Sequence, residues 1–140
     1  MPSFRFYHPI EVRYGDLDPQ GHVNNAKFMT YLEQARIRYV QHLGLWRGGS
    51  FLEIGFILAQ ASITFRAPIL FTQPVRVGAR ITHLGNKSVH MEYQIEDPSD
   101  DQVMATGSSV LVTYDYKLGE TIPIPDNWRK VISEFEGLSK

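Results

Sequence analysis

Apolar and polar residues alternate along the start of the chain: Phe4, Phe6, His8, Ile10, Val12 and Tyr14 are separated by Arg5, Tyr7, Pro9, Glu11 and Arg13. A repeat of two predicts a half-buried strand, and Pro9, which cannot donate to a ladder, puts it at a sheet edge or a bulge. The alternation breaks at Gly15-Asp16-Leu17-Asp18-Pro19-Gln20-Gly21. There Pro presets φ and Gly21 accepts a positive φ, so a turn is expected. From Asn25 the repeat lengthens. Phe28, Leu32, Ala35, Tyr39 and Leu43 recur every three or four residues and predict a long amphipathic helix. Asn24 or Asn25 is its expected N-cap and Gly44 its stop. Glu33 and Arg36 are spaced to pair on its surface, and Tyr31 is expected in the core or an interface.

Leu45 to Glu53 reads as an irregular, glycine-bearing connection. Four strands are then predicted: Ile54 to Arg66, Val75 to Leu84, Ser88 to Glu96 and Gln102 to Tyr116. Gly85-Asn86-Lys87 is a hairpin turn between the middle two, and Asp97 to Asp101 is the next turn. The last strand has no clearly polar face. Met104, Thr106, Ser108, Val110 and Val112 stand opposite Ala105, Gly107, Ser109, Leu111 and Thr113. Such a strand is central and covered on both sides. One helix covers only one face, so a second subunit is expected on the other. After Ile122-Pro123-Ile124-Pro125 comes a short helix, capped by Asp126 and presenting Trp128, Val131, Ile132 and Phe135. The order of elements is that of an α+β fold, an antiparallel sheet around one long helix with a short C-terminal helix.

Composition narrows the function. A length of 140 residues predicts one domain, 1–140, able to bury a core without disulfides or a structural metal. A formal net charge of −1 argues against nucleic acid or an anionic membrane as partner. The chain has no cysteine, hence no disulfide, no thiolate zinc site and no Cys nucleophile. That fits a reducing compartment, no apolar run approaches a membrane span, and the N-terminal stretch lacks the apolar core of a secretion signal. A cytoplasmic location is expected.

Familiar catalytic motifs are missing. Gly107-Ser108-Ser109-Val110 has neither the spacing nor the context of a nucleophile elbow, and no phosphate loop or dinucleotide glycine fingerprint occurs. His8, His22, His42, His83 and His90 are scattered without metal-ligand spacing, so no metal site is expected. Carboxylates remain as candidate catalysts. Asp18 stands in a turn that feeds the start of the main helix, close in sequence to unpaired backbone N–H groups and the positive end of the helix dipole. Acyl hydrolysis needs that combination: a group to attack or activate water, and donors for the oxyanion.

Asp18-Pro19-Gln20-Gly21-His22-Val23-Asn24-Asn25, followed by a helix with Tyr31, Glu33, Ala35 and Arg36, resembles the 4-hydroxybenzoyl-CoA thioesterase-like hotdog proteins. The similarity extends through Phe65-Arg66-Ala67-Pro68 and Leu84-Gly85-Asn86-Lys87-Ser88. It implies a hotdog fold and hydrolysis of acyl-CoA thioesters without a metal or dissociable cofactor. In the family's pattern the second aspartate is catalytic, here Asp18, as nucleophile or general base; Asp16 would at most support it. The resemblance also implies active sites at subunit interfaces of a homo-oligomer, a dimer or a homotetramer built as a dimer of dimers.

Each assignment has a plainer competitor. Asp18 is also a good turn residue, and Gly21, His22, Asn24 and Asn25 either shape the pocket or serve as turn and cap. Glu33 is a catalytic position in another hotdog branch, against which stands its pairing with Arg36. Arg66, Lys87 and Ser88 are the candidates for the coenzyme A phosphates, and a solvated sheet face is the alternative. Two other functions stay open: an acyl-thioester hydratase or dehydratase, with His22 paired to a carboxylate, and a non-catalytic acyl-CoA sensor.

Overall fold

The computed structural model describes residues 4–46 and 54–139. Strand β1 (Tyr7–Ile10) is followed by a 3-10 turn (Tyr14–Asp16) and the long helix α1 (Asn25–His42). Strands β2 (Ile54–Phe65), β3 (Val75–Leu84), β4 (Ser88–Asp97), β5 (Gln102–Asp115) and β6 (Glu120–Thr121) precede helix α2 (Asp126–Glu136). All pairings are antiparallel, in the order β1-β3-β4-β5-β2, with β6 also on β5. β1 lies at an edge, as Pro9 requires; β5 is an interior strand between β4 and β2, but within one chain only the face toward α1 is covered, and Ser108 on the other is exposed.

The helix forms where its pattern begins. Asn24 is the N-cap, its side chain accepting from the N–H of Ala26 at 2.9 Å, and Gly44 (φ 75°) turns the chain out past the C-cap Leu43. Phe28, Tyr31, Leu32, Ala35, Tyr39 and Val40 are buried along one stripe. They join Val77, Ala79, Ile81, Val89, Met91, Tyr93, Ile95, Met104 and Leu111 in the core. Gly107 lets helix and sheet close: a Cβ there would lie 3.0 Å from Leu32 Cδ1 and 3.1 Å from the carbonyl of Ser62.

At the far end of α1, the Tyr39 hydroxyl donates to Glu136 Oε2 at 2.5 Å, and the N–H of Ile81 donates to the same oxygen at 2.9 Å. That carboxylate seats α2 against helix and sheet, beside the buried Trp128 and Ile132.

Several expectations are corrected. The first strand is shorter than its alternation, because the 3-10 turn begins at Tyr14 and leaves that residue 80% exposed. Glu33 and Arg36 do not pair; Arg36 turns inward and its Nη1 donates to the Tyr93 hydroxyl at 3.2 Å. Pro125, not Asp126, occupies the N-cap of α2, without a side-chain cap; Asp126 places its charge in the first turn, where the helix dipole favours it. Of the connection Leu45 to Glu53, positions 47–53 lie outside the described residues.

Among the described residues β2 is the second edge of the sheet and pairs with β5 alone. Residues 57–62 are exposed throughout, including Leu58 at 42%. Across the face away from α1, Phe4 together with Ser62, Thr64, Glu92, Thr106 and Ser108 lines a shallow furrow of about 290 Å³. Among the described residues no helix is long and apolar enough to cross a membrane.

Candidate active site

The segment from Asp16 to Asn24 is a tight hairpin held by its own backbone. The N–H of Asp18 donates to the His22 carbonyl at 2.7 Å and that of Gly21 to the Asp18 carbonyl at 3.0 Å. Gly21 supplies the positive φ, 81°, that the reversal needs. Leu17 bridges Val23, His22 bridges Leu70, and the N–H of Val23 donates to the Ile69 carbonyl at 2.9 Å. The turn is thus pinned to the segment that follows β2.

Within it the two aspartates differ. Asp18 is half-buried, and its Oδ1 accepts from the N–H groups of Gln20 (2.9 Å) and His22 (3.2 Å). Its Oδ2 accepts no hydrogen bond among the described residues, so the carboxylate is oriented by one oxygen and open at the other. Asp16 is 9% exposed, and its Oδ2 accepts from the Tyr31 hydroxyl (2.7 Å) and the N–H of Arg13 (3.0 Å). Burial, then the bond to Asp16 and its charge, hold the Tyr31 pKa well above the ordinary value of 10.0, so the hydroxyl keeps its proton.

The start of α1 stands beside this turn. Asn24 connects them, its N–H donating to the Asp16 carbonyl at 2.8 Å while its side chain caps the helix. Asn25, the first helical residue, has an N–H without an acceptor among the described residues. His22 meets Asp18 through its backbone, accepting from one N–H and donating with its own. No bond joins the imidazole to a carboxylate among the described residues, which is the pair that hydratase chemistry would use. The surroundings are apolar: Tyr14 packs edge-on against Phe71 at 6.3 Å, Phe28 against Phe65 at 5.1 Å, and Leu70 is exposed next to them. Sequence reasoning missed this apolar rim; the Leu70-Phe71 pair after Arg66-Ala67-Pro68 was its only signal.

Of the expected site residues, Asp18, Gly21, His22, Asn24 and Asn25 come together here. Arg66 follows β2 at the same end of the sheet, exposed. Lys87 and Ser88 do not join it. Phe65 pairs with Ala105 and Ser88 with Val112. From position 105 to 112 the ladder spans roughly 23 Å at about 3.3 Å per residue. Lys87 Nζ there donates to Thr121 Oγ1 at 3.1 Å. Among the described residues, no three His, Cys, Asp or Glu side chains are grouped so as to hold a metal.

Comparison with known proteins agrees with this architecture. The family model of the thioesterase-like superfamily matches residues 12–132. A thioesterase from Thermus thermophilus, solved with coenzyme A and zinc, superposes with a TM-score of 0.84 at 36% identity, covering 99% of this chain and 100% of that one. The long-chain acyl-CoA thioesterase FadM of Escherichia coli is 24% identical over 125 residues, 89% of this chain and 95% of its own. A 1,4-dihydroxy-2-naphthoyl-CoA thioesterase from Synechocystis shares the fold, with a TM-score of 0.82 at 22% identity over 92% of this chain and 96% of that one. The chain belongs to the thioesterase-like superfamily, a family of acyl-thioester hydrolases, and has its hotdog fold.

Proposed function

We propose that the protein hydrolyses acyl-CoA thioesters and that Asp18 is its catalytic carboxylate. The observation that carries this reading is the Asp18 side chain itself, fixed through Oδ1 by two backbone N–H groups and, among the described residues, without a hydrogen bond at Oδ2, in a turn tied by Asn24 to the start of α1, where the N–H of Asn25 has no acceptor among those residues. A thioester carbonyl lying between them meets an oxygen nucleophile, or a water held by it, on one side. On the other it meets a donor for the developing oxyanion, aided by the helix dipole. In the nucleophilic route Oδ2 bonds to the carbonyl carbon, the carbon–sulfur bond breaks, and water then cleaves the acyl-aspartyl anhydride. In the general-base route Asp18 takes a proton from water as the hydroxide adds. In both, coenzyme A leaves as a thiolate. Gly21, His22 and Asn24 shape the turn that presents Asp18.

A dimer through β2 accompanies this reading. A two-fold axis pairing β2 antiparallel with its copy would satisfy the exposed edge and cover its apolar residues. It would also lay the Phe65–Arg66 end of one protomer beside the Ile54 end of the other, the end to which Lys87 and Ser88 belong. The separation of Arg66 from Lys87 and Ser88 within one chain is then bridged between chains, and the three can share the phosphates of one coenzyme A. The dimer's own pairing into a tetramer would use the polar outer face. The coenzyme A bound by the Thermus relative and the cysteine-free composition support the substrate and a cytoplasmic location.

Free-thiol release from long aliphatic, short branched and aromatic acyl-CoAs tests the activity. Release from at least one is expected, and none from any, in folded protein, would contradict it. Light scattering at micromolar concentration should give a dimer or tetramer mass.

A further inference from the structure

In the Asp16–Tyr31 pair, Asp16 lies in the same turn as Asp18, and one oxygen of its carboxylate, Oδ2, is taken by two donors of the protein itself. Among the described residues Asp16 makes four hydrogen bonds: Oδ2 accepts from Tyr31 and from the N–H of Arg13, the backbone carbonyl accepts from the N–H of Asn24, and the Asp16 N–H donates to the Arg13 carbonyl. Two of these partners belong to or cap α1, at different heights. Asn24 stands at the mouth of the helix, and Tyr31 is about 10 Å further along its axis at roughly 1.5 Å per residue. A single tether would let the turn pivot about the helix end. Two tethers at different heights fix its tilt. The ring of Tyr31 is itself only 5% exposed, so packing holds the hydroxyl in place.

We infer that Asp16 and Tyr31 are positioning residues, a buried brace that sets the Asp18 carboxylate against the N–H groups at the start of α1. The inference rests on Asp18 being the catalytic carboxylate. Catalysis by orientation is sensitive to such a brace, because a displacement of about 1 Å can cost roughly 100-fold in rate. The chemistry of the two aspartates is therefore opposite. Asp18 needs a carboxylate that can attack or take a proton, whereas Asp16 needs only an acceptor oxygen. An amide at position 16 still offers one to Tyr31 and Arg13, while an amide at position 18 is neither base nor good nucleophile.

Three variants assayed by thiol release test this on the intact protein: Tyr31→Phe, Asp16→Asn and Asp16→Ala. Tyr31→Phe keeps the buried ring and loses the tether, so kcat should fall about 10- to 100-fold with KM within about two-fold. Asp16→Ala should fall as far, and Asp16→Asn should restore most of the loss. Amide hydrogen exchange gives a readout independent of turnover. In Tyr31→Phe, exchange at Asp18, Gly21 and His22 should accelerate while that of β3 and β4 stays unchanged. Wild-type kcat and unchanged exchange in Tyr31→Phe would overturn the brace. An Asp16→Asn protein as inactive as Asp16→Ala would also overturn it, by making position 16 part of the chemistry. An active Asp18→Asn protein would instead remove the catalytic assignment, and accelerated exchange would still locate the brace.

Discussion

Helix α1 carries two buried tyrosines that each donate a hydroxyl to a carboxylate, one near each end. Tyr31 binds Asp16 across 15 positions of sequence, and Tyr39 binds Glu136 across 97. The bonds are similar in kind, 2.7 Å and 2.5 Å, but what they hold differs. Glu136 lies on α2, a helix that also buries Trp128 and Ile132, and its carboxylate accepts from the β3 backbone as well. Asp16 lies in a short turn that packs Leu17 and Val23 against the core, two positions before the Asp18 carboxylate, and is otherwise held by hydrogen bonds. Breaking the first link loosens an element already held by its core contacts, a cost spread over the whole fold. Breaking the second loosens a segment whose orientation rests on hydrogen bonds, which is where local opening occurs. The same link therefore serves stability at one end of the helix and placement at the other.

The strongest way to erase this contrast is to damage what the two ends share. Leu32→Ala removes a fully packed side chain between the pairs and should cost about 2–5 kcal/mol, lowering stability and turnover together. Denaturant titration and thiol release on the same sample would show both. Tyr31→Phe should separate the two ends instead, reducing kcat with little change in the unfolding midpoint. Tyr39→Phe should do the reverse. It should lose about 1–3 kcal/mol of stability, the value of a buried hydrogen bond to a charged group, with kcat unchanged at room temperature. A Tyr39→Phe protein that unfolds as the wild type but turns over slowly would abolish the distinction.

The smallest effect sharpens the contrast through pH. Burial, followed by the bond to Glu136 and its charge, holds Tyr39 above its ordinary pKa of 10.0, and Tyr31 is raised in the same sense. The unfolded chain therefore releases these protons first as pH rises. Their contribution is complete below about pH 10 and is lost progressively above it. Denaturant titrations from about pH 8 to 11 should show stability declining at the alkaline end, with a shallower slope in Tyr39→Phe. An unchanged slope would contradict this assignment.

Much of the fold was legible because it is written in local repeats. The stripe Phe28, Leu32, Ala35 and Tyr39, the Asn24 cap, the Gly44 stop and the alternation of β3 and β4 each need only neighbouring residues to be read. What escaped depends on partners distant in sequence. Arg36 was matched to Glu33 because both are on one helix, and the Tyr93 hydroxyl that takes it is 57 positions away. Tyr31 could be placed in the core from its position, but not joined to Asp16, because the path of the turn decides which carboxylate it meets. Asp126 looked like a cap because it precedes an apolar pattern, yet Pro125 already holds the extended conformation of that position.

The candidate site divides in the same way. Asp18, Gly21 and Asn24 are neighbours in sequence, so the turn and cap that gather them could be foreseen. The distance from Arg66 to Lys87 follows from strand register, which no local pattern encodes.

The central claim is that Asp18 carries the reaction, and thiol release by Asp18→Asn beside wild type, on the best acyl-CoA substrate and at matched folded concentration, tests it most directly. The substitution keeps the oxygen that accepts from Gln20 and His22, so the turn should persist while kcat falls by about 10²- to 10⁴-fold. Turnover within a few-fold of wild type in a folded Asp18→Asn protein would contradict the account.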